Sequence, residues 1–78
     1  MHYYYIIDRR ARDANQLGWE ENHAILVVAK NELEARELAA NDAGEEGPKP
    51  WLDNKRSLAK EIGPADTPSR IMMRQRAS

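Results

Sequence analysis

Two short stretches, Tyr3–Ile7 (YYYII) and Ile25–Ala29 (ILVVA), are apolar at every position, and they constrain the fold more than anything else in the chain. A β-strand sends successive side chains to opposite faces. Tyr3, Tyr5 and Ile7 therefore point one way, and Tyr4 and Ile6 the other. In the second stretch Ile25 and Val27 oppose Leu26 and Val28. Strands apolar on both sides belong to sheets covered on both sides. The sequence marks one clear helix, and one helix shelters one face. What covers the other face is the question the sequence raises.

That helix is KNELEARELAANDAGEEG. Asn31 is a good N-cap, with Glu34 at the capping-box position, and Glu32 and Glu34 suit the positive helix start. Gly44 fits a left-handed C′ position. Ala35, Leu38, Ala39 and Ala43 form the apolar stripe, with Leu33 off it. Small stripe residues allow a close approach to a sheet. Asp42 is out of place, since an acid is unfavourable near a helix C-terminus; Lys49 or Arg70 would pair it.

Strands are expected over residues 3–8 and 23–29, with residues 9–22 as a loop longer than an ordinary hairpin connection. If those strands pair, Tyr3 lies near Val28 and Asp8 near His23. Trp51 and Leu52 are the expected anchors of the proline-containing turn after the helix, and Asp53 starts an Asx-turn or caps a helix. Residues 54–62 fit either a short helix, through Leu58 and Ile62, or an edge strand, through alternation. GPADTPS reads as loop and RIMMRQ as a final strand, with Ile71 and Met73 on one face and Met72 on the other. Residues 75–78 form a frayed tail.

Seventy-eight residues make one small domain. With 41% apolar and 32% charged residues it reads as globular. No cysteine is present, which removes disulfides, thiolate metal sites and thiol nucleophiles. Neither a signal peptide nor a membrane-length apolar run appears, so a cytoplasmic protein with no membrane role is expected. The net charge of −1 hides an uneven layout. Three arginines face Asp8 alone in residues 1–12; residues 13–48 carry nine acids against Lys30 and Arg36; residues 49–78 carry seven bases against three acids.

From Leu38 to Asp53, LAANDAGEEGPKPWLD resembles small uncharacterised bacterial and phage proteins in which a helix ends Ala-Gly-x-Glu-Gly and Trp-Leu-Asp follows. The matching positions are Ala43, Gly44, Glu46, Gly47, Trp51, Leu52 and Asp53; Asn54 stands where such proteins commonly have proline. The resemblance implies a β-β-α-β-β layout, which favours a strand over residues 57–62. It carries no activity.

No catalytic or metal-binding constellation emerges, and no cofactor is expected. His2 and His23 fall at opposite ends of the expected hairpin. Asp42, Glu45, Glu46 and Asp53 cluster in sequence without calcium-loop spacing. The glycines lack the order of a phosphate-binding loop. The fold expected is a small α+β domain, a mostly antiparallel sheet with the helix of residues 32–43 on one face. The function expected is non-catalytic binding of another protein or of a second copy, with a homodimer as one form. Tyr4, Ile6, Trp19 and Leu26 would supply the contact, and acidic Glu45 and Glu46 a second surface. The phage-like resemblance extends this to an accessory protein or inhibitor of a host system, whose acids imitate nucleic-acid charge. Leu17 and Trp19 folding back over the second face is the competing explanation. The alternative function is single-stranded nucleic-acid binding, with Tyr3 and Tyr5 stacking bases beside Arg9, Arg10, Arg70 and Arg74. An enzyme would need two of Glu45, Asp53 and His23 in one cleft.

Overall fold

The computed structural model describes residues 1–12 and 21–76, and for Arg76 the backbone alone. Its elements are β1 (His2–Asp8), β2 (Asn22–Ala29), α1 (Glu32–Asn41), α2 (Lys49–Leu52), β3 (Leu58–Ala65) and β4 (Arg70–Arg76). The four strands form one sheet in the order β3-β1-β2-β4, every pair antiparallel. The expected α+β architecture is present, with the second helix as an addition. No helix among the described residues is long and apolar enough to cross a membrane.

The doubly apolar stretches take the two central positions, where hydrogen bonding on both sides favours β-branched and aromatic residues. Their register is Tyr3 opposite Ala29, Tyr5 opposite Val27 and Ile7 opposite Ile25. It differs by one residue from the expected Tyr3–Val28 alignment. Asp8 consequently faces Ala24 and its carboxylate binds Arg10 rather than His23, through Nε at 3.0 Å and Nη2 at 2.9 Å.

β2 and β3 are parallel, since both run antiparallel to β1, and the helical segment crosses over β1 to join them. Residues 66–69 then pass from one edge of the sheet to the other. Three strand spacings come to about 14 Å, which four extended linking residues can span. Ser69 Oγ donates to Glu34 Oε1, fastening this strap to the first turn of α1.

Residues 54–62 resolve as turn and strand. Asp53 Oδ1 accepts from the Lys55 amide at 2.8 Å, the Asx-turn of the two expected alternatives. β3 runs on through Gly63 and Pro64, which were expected to be loop. Proline is tolerated there because β3 is an edge strand. At the other end β4 includes Gln75 and Arg76, so the final strand covers half of the expected tail.

The Asn31 cap forms as expected, its Oδ1 accepting from the Glu34 amide at 2.8 Å. The return bond of the box comes from Lys30, one residue earlier, at 2.9 Å. Gly44 does not take a left-handed conformation; α1 closes at Asp42, and among the described residues Gly47 alone has a positive φ, +76°. The residues α1 buries are Ala35, Arg36, Ala39 and Ala40, with Leu38 and Ala43 only partly covered. The buried strip is thus rotated toward Arg36 and Ala40.

Arg36 lies inside because all three nitrogens of its guanidinium are engaged. Its Nε donates to Glu32 at 2.9 Å, Nη1 to Ser57 Oγ at 2.7 Å and to the Trp51 carbonyl at 3.0 Å, and Nη2 to the Ser57 carbonyl at 3.1 Å. A buried guanidinium is tolerable only when so satisfied. Trp51 is completely buried among Tyr5, Ile7, Ile25 and Val27, as expected of an anchor. Leu52, its expected partner, instead points to solvent.

Candidate protein-binding face

Both helices lie on one side of the sheet. The core cluster joins Tyr5, Ile7, Ile25, Val27 and Ala29 of the central strands to Ala35, Ala39, Ala40 and Trp51, with Tyr3 and Ile71 packed against it. No described helix covers the opposite side. Tyr4, Ile6, Leu26 and Val28 lie there, as strand alternation expects: Tyr4 faces Val28, and Ile6 faces Leu26. Tyr4, Ile6 and Leu26 are half-buried, whereas Val28 and Ala24 on the same side are buried.

A bulge adds to this face. Leu26 pairs with Met73 and Val27 with Ile71, so Met72 is an extra residue in β4. The inserted residue carries Met73 onto the helix-free side, where it is 65% exposed; alternation alone would have put it with Ile71. Ile6, Leu26 and Met73 wall a hollow of about 160 Å³. Arg10 and Gln75 bridge its end with a 2.9 Å bond from Nη1 to Oε1. Lys60, opposite Ile6, and Arg70, opposite Val28, add exposed cations. The hollow is about the volume of one large apolar side chain, and an apolar floor with a charged rim is the usual anatomy of a contact surface.

Electrostatics at the ends of β1 follow from direct partners. The hydrogen bonds from Arg10 hold the Asp8 carboxyl below the usual aspartate range, and Asp8 in turn raises Arg10. On the helix side, burial and the nearby Glu61 carboxylate push the Tyr5 phenol up; its hydroxyl donates to Glu61 at 3.3 Å. Glu34 is held low by the Ser69 hydroxyl and the Lys30 amide.

Of the residues expected to bind protein, Tyr4, Ile6 and Leu26 share the helix-free face. Trp19, like Leu17, lies outside the described residues. Glu45 is exposed on the helix side, but Glu46 is internal wiring. Its Oε2 accepts from Trp51 Nε1 at 2.7 Å and its Oε1 from the Asn22 amide at 3.1 Å. Glu46 is therefore not half of an outward acidic pair.

The residues of the nucleic-acid alternative do not gather on one surface. Tyr3 and Tyr5 face the helices, and Tyr5 is only 7% exposed. Arg9 is 1% exposed. Its guanidinium lies 5.8 Å from the Trp51 ring centre and donates to Glu21 and to the Asn22 carbonyl, both at 3.0 Å. Arg74 is opposite Ile25, on the helix side, and reaches Asp42 at 3.2 Å. This pair explains the misplaced acid, with Arg74 in the role expected of Lys49 or Arg70. Arg10 and Arg70 alone stand beside the helix-free face.

The roles of Arg9 and Arg36 escape sequence reasoning because arginine is ordinarily exposed. The one available signal was the Glu32–Arg36 spacing, an i,i+4 ion pair. Among the described residues no group of three or more His, Cys, Asp or Glu side chains is placed to hold a metal ion. Comparisons with protein-family models, curated proteins and solved structures give no match for this chain.

Proposed function

We propose that this chain is a non-catalytic protein-binding module whose contact surface is the helix-free sheet face. The partner is another protein or a second copy of the chain. The observation that supports this reading is the hollow walled by Ile6, Leu26 and Met73, ready for one inserted apolar side chain. Apolar anchors seated in such pockets carry most of the energy of protein contacts.

The strand edges are poorer candidates. β3 carries Pro64, Lys60 and a bulge at Ile62, and β4 carries Arg70, Arg74 and the bulge at Met72. These features interrupt the regular ladder that an added strand would need. Recognition through side chains on the face fits better than β-augmentation.

Two measurements test the proposal. In NMR with a soluble paramagnetic agent, the Met73 methyl of the dilute protein should broaden as fast as that of exposed Leu33. A slow-relaxing Met73 in a demonstrated monomer refutes an accessible face. Light scattering across concentration then identifies the partner: a dimer that Met73→Glu dissociates assigns the face to a second copy, while a monomer assigns it to a foreign protein.

A further inference from the structure

The helix side holds a second surface unrelated to the proposed face. A hollow of about 750 Å³ lies between α1 and α2. Leu33 from α1 and Leu52 from α2 line it, 67% and 49% exposed. Neither contributes to the core cluster; the junction of the two helices is held by Trp51, Arg36 and Ser57. Two leucines exposed in one concave surface are a standing gain for any ligand that covers them.

The charge around them has one sign in excess. Lys49 and Asp53 balance within the hollow, as do Glu32 and Arg36 at 2.9 Å, so the excess comes from the cations just beyond it. A neighbouring hollow of about 320 Å³ shares Glu32, Arg36 and Asn54 and adds Arg12 and Lys55. The 53–57 turn thus stands in a collar of cations on a domain whose net charge is −1.

We propose that the α1–α2 groove is a docking site for an acidic peptide segment carrying leucine-like anchors. The anchors would cover Leu33 and Leu52, and acids beside them would meet Lys49, Lys55 and Arg12. α1, with ten residues, is about 15 Å long, which matches about five residues of extended peptide. A nucleic acid fits less well. The exposed floor is aliphatic and offers no ring for base stacking, the nearby Trp51 being fully buried.

The test is selection from a random dodecapeptide library on the full-length protein, followed by affinity measurement on the selected peptides. Enriched sequences should be net acidic with two spaced aliphatic residues. The double variant Leu33→Ser, Leu52→Ser should weaken them about tenfold, and Lys49→Glu with Lys55→Glu by a similar factor that shrinks in high salt. Met73→Glu, on the opposite side of the sheet, should leave these affinities unchanged, which separates failure here from failure of the proposed sheet-face function. All changed positions are exposed, and circular dichroism verifies folding of each variant. Enrichment of basic or neutral peptides, no enrichment, affinity unaltered by the leucine double variant, or displacement of the peptide by a short single-stranded oligonucleotide overturns the proposal.

Discussion

Ile6 and Ile7 are chain neighbours of identical chemistry on the same central strand, yet Ile7 is fully buried and Ile6 half-buried. The same contrast separates Val27 from Leu26, and it ends at Val28, which is buried on the helix-free side. The two faces of this sheet are built from alternate residues of the same stretches, so composition does not distinguish them. The difference comes from the crossover. The chain from β2 to β3 passes over one face and brings Ala35, Ala39 and Trp51 onto it. A shared backbone therefore supports two surfaces of different character, a sealed core and an apolar floor with a cationic rim.

The sharpest way to break this contrast is to remove the bolt of the sealed side. Trp51→Ala deletes a fully buried ring that also donates to Glu46 and packs under Arg9. It should cost about 4 kcal/mol in urea-induced unfolding, a large part of the stability of so small a domain. A loss below about 1 kcal/mol would mean the helical layer is not fixed to the sheet through this residue.

A paired experiment measures the contrast directly. Ile7→Ala should cost about 3 kcal/mol, and Ile6→Ala about 1 kcal/mol, because a half-buried side chain gives up less transfer energy and leaves no closed cavity. Equal costs would show that the second face is as tightly sealed as the first.

The smallest effects concern pH. The Asp8 carboxyl is lowered by Arg10, so its contribution is present above the ordinary aspartate range and disappears as pH falls through its depressed value. Arg10→Ala should remove that part of the acid-side slope while leaving the neutral fold intact. Tyr5 behaves oppositely. Its phenol is raised above 10.0 by burial and Glu61, so stability is retained at neutral pH and falls as the solution passes above that value. Tyr5→Phe should flatten the alkaline limb of a thermal-unfolding profile. An unchanged limb would show that ionisation of this phenol is not what destabilises the fold there.

Much of the site was legible in the chain. Strand alternation assigns Tyr4, Ile6 and Leu26 to one face correctly, since it depends only on the two-residue period of a strand. It misplaces Met73 because the bulge at Met72 shifts β4 by one residue. Reading charge pattern alone takes Arg9 and Glu46 as outward charges. Both are held by Asn22, which lies 13 residues from Arg9 and 24 from Glu46 and which only folding brings near.

The sequence by itself determined the strand periodicity, the Asn31 cap, a local side-chain bond at Asp53 in an Asx-turn or a cap, and the excess of apolar strand surface over helix. Each arises from residues within a few positions of one another, where propensity and local hydrogen bonds dominate. The tertiary structure alone decided that β3 lies beside β1 and β4 beside β2, and which set of strand residues the helices cover. Both sets are apolar enough to form a core. The choice between them rests on the path of the β2-to-β3 crossover, whose handedness is a property of the whole twisted sheet.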